Sequence, residues 1–264
     1  MLAFKIIKQY LKLIKEGKSF EDKKLLTKYF LKMPIRILYR ILGYKFQHSL
    51  SSNVIIKNED GNFFCGKNIF AAWTASSLYE PELKPFFELS AGTFIDVGAN
   101  IGKYSIILGK KLKDNGQVIS IEPEPRNFEI LNKNIKLNNL KNVTAINNGL
   151  YSKKGKLDFY LTSEKSGDGA HSLIKKTNNK IQIKVDTLDN IIKEKGLKDI
   201  KLIKIDVEGA EANVLKGAKK TLKKYHPKLI FEAWDETYFK KIKNILDKYN
   251  YKFEKIGSQN YFAF

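Results

Sequence analysis

The chain has 264 residues, 43% of them apolar, which is enough for one α/β domain with an appendage and excludes a disordered chain. Its single cysteine, Cys65, excludes an internal disulfide and a thiolate zinc cage, and it fits a reducing, cytoplasmic location. The net charge of +20 rests almost wholly on lysine, because only three of the 48 basic residues are arginines, and this favours diffuse attraction to anions over specific reading of nucleic acid.

The first segment, residues 1–46, is basic and is predicted to be helical. In its first 15 residues, apolar side chains recur at helical spacing along one stripe, and four lysines lie mostly on the opposite side. The stripe contains Ile6, Ile7, Tyr10, Leu11 and Ile14. The lysines argue against a signal peptide, and no apolar run in the sequence is long enough to cross a membrane.

Two interpretations of this stripe are open. Either the helix packs on the main domain, or it lies on an anionic membrane surface, where each lysine near the headgroups contributes about 1 kcal/mol. In the second case the protein is peripheral to the membrane. A second helical stretch is predicted at residues 23–42, and Pro34 predicts a break in it near Met33.

Residues 47–89 are predicted to form an N-terminal extension. Short strands are predicted at 53–57 and 62–65, and the stretch 69–89 is predicted to be helical in part, because two prolines interrupt it. The main domain is predicted to span residues 90–264. Its boundary is placed near Ser90, because a regular alternation of strands and helices begins there.

Strands and helices alternate through the main domain. Strands are predicted at residues 94–97, 117–121, 143–147, 201–205 and 228–231, helices at 104–112, 125–137, 210–225 and 238–249, and a closing hairpin at 251–256 and 261–264. The strands are nearly continuous apolar runs, which indicates a parallel sheet covered by helices on both faces. Ligands of such sheets bind beyond the carboxyl ends of the strands.

The stretch TFIDVGANIGKY, residues 93–104, joins the first of these strands to its helix. Gly98 and Gly102 lie where bare backbone allows a tight turn and the close approach of a ligand. Their spacing differs from the G-x-G-x-x-G pattern of dinucleotide-binding proteins. Glu122 ends the next strand, where α/β nucleotide sites place a carboxylate that accepts hydrogen bonds from ribose hydroxyls. The turn and the acid together predict a nucleotide-type site.

Four segments carry a resemblance to a known family: FIDVGANIGKYS, SIEPEPRNFEILNKNI, LIKIDVEGAEANVLKGA and HPKLIFEAW. They resemble the FkbM-type S-adenosylmethionine-dependent methyltransferases over about residues 62–264, and DVEGAE is the most specific piece. The resemblance implies a class I (Rossmann-like) methyltransferase, an α/β fold whose seven-stranded, mostly parallel sheet ends in an antiparallel hairpin. It also implies S-adenosylmethionine as the methyl donor. The implied reaction is O-methylation of a hydroxyl on a sugar, glycan, lipid-linked sugar or secondary metabolite.

The residues that the resemblance assigns to the donor lie at or just beyond the carboxyl ends of the first three strands of the main domain. They are Asp96, Gly98, Ala99, Asn100, Gly102, Glu122, Asn148, Gly149 and Leu150. The glycine turn is expected to pack against the methionine part of the donor, with Asp96 ordering the turn and the amino group. Glu122 is expected to bind the ribose diol, and the last three residues to meet the adenine. The donor carries no phosphate, so the charge of +20 is unrelated to its binding.

Methyl transfer to a hydroxyl benefits from a general base, which is worth roughly 10²–10⁴-fold in rate. The candidate catalytic residues are Asp206, Glu208, Glu232 and His171. The three acids follow the fourth and fifth strands, and Asp206 is favoured among them. His171 lies in the polar loop GDGAHS of an insertion between the third and fourth strands, and histidine is a natural base near neutral pH. Glu211 is instead expected to cap a helix start, where acids favour the dipole.

Other functions remain open from the sequence. An RNA methyltransferase fits the basic charge, although the sequence contains no recognisable RNA-binding module. A donor-binding fold without catalysis is disfavoured, because Asp96 and Gly98 are both present. A divalent cation held by Asp206 and Glu232 is the less favoured alternative to a site without metal. The expected acceptor is therefore a small molecule, glycan or glycolipid rather than a nucleic acid.

Overall fold

The structure, a computed structural model, describes residues 2–35, 49–161, 171–174 and 176–264. Within these ranges, no helix combines the length and the apolar composition needed to cross a membrane. Most of the polar loop predicted before His171 lies outside the described residues, as does the predicted continuation of the second helix beyond residue 35.

Two helices, α1 (Leu2–Glu16) and α2 (Phe20–Leu31), open the chain and pack side by side. Tyr10 of α1 stacks on Phe30 of α2, with 4.2 Å between the ring centroids. The helix predicted within the first 15 residues is confirmed. The second helix ends close to the break that was predicted near Met33.

The predicted start of the second helix at residue 23 is wrong, because α2 begins earlier at a capping box. Ser19 Oγ accepts a hydrogen bond from the backbone N–H of Asp22 (3.0 Å), and Asp22 Oδ2 accepts one from the backbone N–H of Ser19 (2.9 Å). This exchange satisfies N–H groups that a helix start leaves without intrahelical partners. Asp22 Oδ1 also accepts a hydrogen bond from the backbone N–H of Ile55 (3.0 Å), which ties α2 to the next strand.

The N-terminal extension contains short elements of both types. β1 (Ile55–Lys57) pairs antiparallel with β2 (Asn62–Phe64), and α3 (Ile69–Ala75) and a 3-10 helix (Pro81–Phe87) follow. The short strands and the partial helicity predicted here are confirmed. α3 begins at Asn68, whose side-chain oxygen accepts hydrogen bonds from the first backbone N–H groups of the helix.

Ten further strands follow in the main domain as the structure describes it. They are β3 (Gly92–Val97), β4 (Gly116–Ile121), β5 (Val143–Ile146), β6 (Gly149–Leu150), β7 (Gly155–Tyr160), β8 (Lys180–Asp186), β9 (Ile200–Ile205), β10 (Lys228–Glu232), β11 (Phe253–Lys255) and β12 (Asn260–Ala263). Seven of them form one sheet in the order β11-β12-β10-β9-β3-β4-β5. Neighbours in this sheet are parallel, except that β12 runs antiparallel to β10 and β11. The predicted Rossmann-like sheet with a closing antiparallel hairpin is confirmed.

Helices cover both faces of this sheet. They are α4 (Lys103–Leu112), α5 (Pro125–Leu137), α6 (Leu188–Glu194), α7 (Glu211–Lys216), α8 (Lys219–Tyr225) and α9 (Glu236–Leu246). Successive strand residues alternate between two clusters of buried apolar side chains, so that Phe94 and Leu202 belong to one cluster and Ile95 and Ile203 to the other. A sheet that is buried on both faces accounts for strands that read as continuous apolar runs.

The insertion predicted between the third and fourth strands folds into a second, three-stranded sheet with the order β6-β8-β7. β6 is parallel to β8, and β7 is antiparallel to it. Phe159, Leu161, Ile183 and Val185 form a separate small cluster of buried side chains on this sheet. The sequence predicted the insertion but none of its strands.

The single helix predicted at residues 210–225 is wrong, because α7 and α8 are separate helices with Gly217 and Ala218 between them. Asp189 of α6 supplies the reason. Its carboxylate accepts hydrogen bonds from the backbone N–H of Lys220 and of Thr221, both at 2.9 Å, and so caps the start of α8. A side chain distant in the sequence ends one helix and begins another, which helical periodicity alone does not reveal.

Asn134 of α5 joins the N-terminal extension to the main domain. Its side chain is fully buried, and its Oδ1 atom accepts a hydrogen bond from the backbone N–H of Phe64 (2.6 Å). Its Nδ2 group donates hydrogen bonds to the carbonyl oxygens of Phe64 (3.2 Å) and Ile101 (2.8 Å).

We expect Asn134→Ala to lower the free energy of unfolding in urea by about 3 kcal/mol, because the backbone groups that Asn134 bonds would stay buried without partners. Asn132→Ala is the matched control, since the side chain of Asn132 donates its hydrogen bond within its own helix, to the carbonyl of Phe128. An equal effect of the two variants would contradict the prediction.

Candidate active site

A cleft opens beyond the carboxyl ends of the central strands, where the strand order reverses around β3. Most of the predicted site residues line it together. They are Gly98, Ala99, Asn100, Glu122, Asn148, Gly149, Leu150, His171, Asp206, Glu208 and Glu232. Asp96 and Gly102 lie outside the lining and are buried behind the turn that they flank.

The turn after β3 requires glycine at position 98 for a reason internal to the protein. Gly98 has a φ of +80°, and a Cβ atom added to it would lie 1.8 Å from the backbone oxygen of Asp206. The turn is held on its other side by Glu122 Oε2, which accepts a hydrogen bond from the backbone N–H of Asn100 (2.8 Å). The floor of the cleft is therefore packed directly on the loop that carries Asp206.

Asp96 lies at the end of β3, and its strand neighbours on either side are Ser120 and Lys204. Ser120 Oγ donates a hydrogen bond to Ser105 Oγ (2.7 Å), and Ser105 Oγ donates to Asp96 Oδ2 (2.6 Å). Burial raises the pKa of Asp96, and the ammonium of Lys204 opposes that rise. Among the described residues, no group donates a hydrogen bond to Asp96 Oδ1 or to Asn100 Oδ1, although both atoms are buried.

Glu122 is buried at the end of β4 and faces the cleft. Its Oε1 atom accepts a hydrogen bond from the backbone N–H of Glu124 (2.9 Å), in addition to the bond from Asn100. Burial raises the pKa of Glu122 to about 8, and these two backbone bonds limit the rise. Each carboxylate oxygen has a further lone pair, so the side chain can still accept hydrogen bonds from a ligand.

The second sheet supplies the opposite wall of the cleft. Phe159, His171 and Leu173 line it, and the His171 ring meets the Phe159 ring edge-on at 6.2 Å between centroids. Ser172 Oγ donates a hydrogen bond to the backbone oxygen of Glu208 (2.7 Å), which joins this wall to the loop after β9. His171 is buried, at 5% exposure, rather than displayed on a surface loop.

Asp206, Glu208 and Glu232 converge at one end of the cleft, with carboxylate oxygens within 4.8 Å of one another. Trp234 Nε1 donates a hydrogen bond to Glu232 Oε2 (3.2 Å). Burial raises the pKa of Glu232 to about 8, and the nearby charges of Asp206 and Glu208 add to the rise. Three oxygen ligands at this spacing could hold a divalent cation, and they could equally accept a proton from an acceptor hydroxyl.

Glu211 lies apart from this trio, at the start of α7, and its side chain bonds to the loop before the helix rather than capping the helix itself. Its Oε1 atom accepts hydrogen bonds from the backbone N–H groups of Val207 (3.1 Å) and Gly209 (3.2 Å). The side chain is 1% exposed, and burial raises its pKa to about 7. Glu211 therefore shapes the loop that presents Asp206 and Glu208.

Lys204 is the main site residue that the sequence analysis missed. Its ammonium lies 2.7 Å from Asp206 Oδ2 and 4.7 Å from the centroid of the Tyr104 ring, and its side chain is 3% exposed. Burial by itself would lower the pKa of Lys204. The net effect is a raised pKa, because the nearby carboxylates of Asp206, Glu80 and Asp96 outweigh burial. A lysine inside the otherwise apolar strand 202–205 was the sequence signal that could have revealed it.

The N-terminal extension supplies another part of the cleft wall that the sequence analysis missed. Tyr79 and Glu80 line the cleft, and the Glu80 carboxylate accepts hydrogen bonds from the Tyr104 hydroxyl and from Asn260 Nδ2. Lys103 Nζ donates to the carbonyl oxygens of Ser76 (2.9 Å) and Tyr79 (2.6 Å). Burial lowers the pKa of Lys103 to about 8. No motif marks these residues, because tertiary packing alone brings them to the cleft.

Comparison with known proteins gives consistent results. A family described as "Methyltransferase FkbM domain" matches residues 96–253, more than half of the chain. "Methyltransferase sdnD" of Sordaria araneosa is 27% identical over 214 residues, which is 69% of this chain and 82% of that protein. "Hexuronic acid methyltransferase AglP" of Haloferax volcanii is 31% identical over 127 residues, which is 48% of this chain and 50% of that protein.

A solved structure extends the comparison to the fold. The crystal structure of methyltransferase FkbM from Methylobacillus flagellatus KT superposes with a TM-score of 0.52 at 16% sequence identity. The superposition covers 98% of this chain and 58% of that chain, so this chain spans little more than half the length of that protein. At this level of identity the likeness establishes a shared fold.

Proposed function

The chain belongs to the FkbM methyltransferase family, and on that premise we propose that it transfers a methyl group from S-adenosylmethionine to a hydroxyl of a neutral, sugar-containing acceptor. The observation that carries the proposal is the trio Asp206, Glu208 and Glu232 at one end of the cleft. The trio places carboxyl oxygens that can accept hydrogen bonds and a proton beside the turn at Gly98.

The residues at the turn fit the donor. Asp96 Oδ1 and Asn100 Oδ1 are buried acceptors that receive no hydrogen bond from the described residues, and a buried polar atom of this kind costs free energy until a ligand donates to it. An ammonium group and ribose hydroxyls are donors of the kind these atoms need. We therefore assign Asn100 and Glu122 to the polar groups of the donor and the Gly98 turn to close backbone contact with it, while Asp96, buried behind the turn, orders that turn.

The donor supplies an electrophilic sulfonium methyl group when it is bound. The tasks left to this chain are to align an acceptor oxygen, to exclude water and to take up the hydroxyl proton. Alignment alone can contribute roughly 7–11 kcal/mol to lowering the barrier. The buried side chains of His171 and Phe159, with the partly buried Leu173 beside them, form a wall of the cleft that helps to exclude water.

The charge of the cleft supports a neutral acceptor. Among the described residues, its ionisable lining includes five acids, Glu80, Glu122, Asp206, Glu208 and Glu232, against the basic residues Lys103, Lys204 and His171. This local excess of acid stands in a chain whose net charge is +20. A phosphate-rich acceptor such as RNA would meet repulsion at the reacting end, although the basic surface would attract it.

A sugar acceptor is in keeping with the relative from Haloferax volcanii, whose name includes a hexuronic acid. The carboxyl trio favours an uncharged ring over a uronate at the reacting end, because a further carboxylate beside Glu232 would make that side chain harder to ionise. We therefore propose that the acceptor group is a sugar hydroxyl rather than a sugar carboxylate.

Among the candidate bases we favour Glu232. Asp206 was favoured from the sequence, but its carboxylate is engaged in an ion pair with the buried ammonium of Lys204 at 2.7 Å. Among the described residues, no lysine or arginine forms an ion pair with Glu232. Its raised pKa of about 8 makes its ionised form a stronger base than an ordinary carboxylate.

The test is transfer of labelled methyl groups from S-adenosylmethionine into glycan, lipid and RNA pools fractionated from the source cells. We expect label in glycan or lipid-linked glycan that survives mild alkali, as a methyl ether does. Glu232→Gln, run in parallel, should remove most of that label. Alkali-labile label would indicate a carboxyl ester and contradict hydroxyl methylation, and label confined to RNA would establish the RNA methyltransferase alternative.

A further inference from the structure

We propose that the outward face of the α1–α2 pair docks on the surface of an anionic lipid bilayer. This hairpin face carries Ile7 and Leu11 of α1 and Phe20 and Leu31 of α2, with lysines between and beside them. The proposal is independent of the methyl-transfer reaction, and its test requires no acceptor.

The apolar side chains of the hairpin face are strongly exposed. Phe20 and Leu31 are 77% and 75% exposed, and Ile7 and Leu11 are 54% and 52% exposed. Single exposed apolar residues are common on protein surfaces, but four on one helix pair form a patch of the kind that marks an interaction site. The apolar stripe predicted on α1 is thus divided, because Tyr10 and Ile14 pack inward while Ile7 and Leu11 face outward.

The opposite side of the pair faces the domain. Leu13 of α1 and Leu26 of α2 are buried in the main core together with Tyr29. Residues three or four apart share one face of a helix, so the exposed residues form the side turned away from these buried ones. Since both helices place their buried faces on the same core, their exposed faces together form one outward surface.

The hairpin face is also cationic. The segment 2–35 contains nine lysines against three acidic residues. Two of the acids are used internally, because Glu16 is 6% exposed and bonds to Ser77, and Asp22 bonds to the backbone of Ile55. The groove between Phe20 and Leu31 is lined by Lys23, Lys24, Thr27, Lys28 and Lys32. The negative charge left on this part of the surface comes from Glu21, which lies 3.8 Å from Lys24.

This combination favours a bilayer over other occupants. A second copy of the chain would bring like charges together, which opposes pairing through this face. A nucleic acid would satisfy the lysines but would leave the aliphatic side chains in water. Large apolar side chains rimmed by lysines match the interface of an anionic bilayer, where the apolar groups enter the headgroup region and the ammonium groups meet lipid phosphates.

The hairpin face adjoins the wall of the cleft. Glu16, at the end of α1, accepts hydrogen bonds from the backbone N–H of Ser77 (3.3 Å) and from its hydroxyl. The flanking carbonyl groups of Ser76 and Tyr79 accept hydrogen bonds from Lys103 Nζ, and both Tyr79 and Lys103 line the cleft. Docking through the hairpin face would therefore hold the cleft close to the bilayer surface.

The test is sedimentation of the full-length protein with vesicles, either of phosphatidylglycerol mixed with phosphatidylcholine or of phosphatidylcholine alone. We expect binding to the anionic vesicles and little to the neutral ones. The double variants Phe20→Ser/Leu31→Ser and Lys24→Gln/Lys28→Gln should each lower the partition coefficient about tenfold or more. Deletion of the helices is avoided, because Leu13 and Leu26 belong to the core.

Matched control variants remove lysine charges and an aromatic ring from surface positions outside the hairpin face. Lys219→Gln/Lys223→Gln removes the same charge from exposed positions of α8, and Phe264→Ser removes another exposed aromatic ring. Both controls should keep the wild-type partition coefficient. Absence of binding to anionic vesicles, or equal losses in the hairpin variants and the controls, would overturn the proposal. Concentration-dependent dimers that only Phe20→Ser/Leu31→Ser abolishes would overturn it as well, in favour of self-association.

Discussion

Gly98→Ala is expected to lower the affinity for S-adenosylmethionine about a hundredfold or more, equivalent to roughly 3 kcal/mol. The added Cβ would lie 1.8 Å from the backbone oxygen of Asp206, and the residue would have to keep a φ of +80°. Both effects displace the turn that forms the floor of the cleft. Titration calorimetry with the donor measures the loss, and circular dichroism of the same samples checks that the fold persists.

Substitutions at two other glycines distinguish the effect of the steric clash from the effect of backbone strain. Gly196 has a φ of +61° but would place its Cβ near no other atom, so Gly196→Ala introduces backbone strain without a clash. Gly155→Ala introduces neither, because its Cβ would also meet nothing within 4 Å and its φ is ordinary. We expect both variants to bind the donor as the wild type does, with a loss of about 1 kcal/mol in stability for Gly196→Ala alone. Wild-type affinity in Gly98→Ala would refute the donor assignment of this turn.

Much of the main sheet could be predicted from the sequence, because its physical signals are local. β3, β4, β9 and β10 consist mostly of apolar residues with isolated polar ones such as Asp96, Ser120 and Lys204, a pattern typical of strands that are buried on both faces. The convergence of the site residues followed from topology, since parallel strands end at one edge of the sheet. The predicted residues after β3, β4, β5, β9 and β10 accordingly meet in one cleft.

The features of the fold and the site that could not be predicted depend on contacts between residues distant in the sequence. The break between α7 and α8 requires Asp189, and the position of Tyr79 and Glu80 at the cleft requires the extension to pack on α4 and β12. The pairing of Lys204 with Asp206 changes the chemistry inferred for the predicted base. A sequence pattern gives the residue types at the strand ends, but the charge of each carboxylate is set by neighbours that only the fold supplies.

The second large effect is expected for Glu232→Gln, which should lower the single-turnover rate of methyl transfer about a hundredfold or more if Glu232 takes the acceptor proton. With a raised pKa of about 8, Glu232 is mostly protonated at neutral pH. The wild-type rate should therefore rise with pH and level off once Glu232 is ionised, and this rise should vanish in Glu232→Gln. Donor affinity, measured by calorimetry on the same preparation, should change little.

Asp206→Asn tests whether Asp206 acts as a charge that shifts the pKa of Glu232 or is itself the base that accepts the proton. The Asp206 carboxylate is one cause of the raised pKa of Glu232, and Lys204 opposes it, so removal of the carboxylate should move the pH–rate midpoint downward while the rise itself persists. If Asp206 were the base, as the sequence favoured, the rise would disappear in Asp206→Asn and remain in Glu232→Gln. Disappearance in His171→Gln alone would assign the proton to the histidine.

A metal ion held by the trio predicts a different pattern, which the same assay detects. Asp206, Glu208 and Glu232 would then act together, so that neutralising any one of them would lower the rate and a chelator would abolish it. The buried ammonium of Lys204, 2.7 Å from Asp206, already provides a positive charge at the trio and opposes the entry of a second cation. We therefore expect full activity in the presence of chelator, and a rate that chelation abolishes and magnesium restores would reassign the three carboxylates from proton transfer to metal binding.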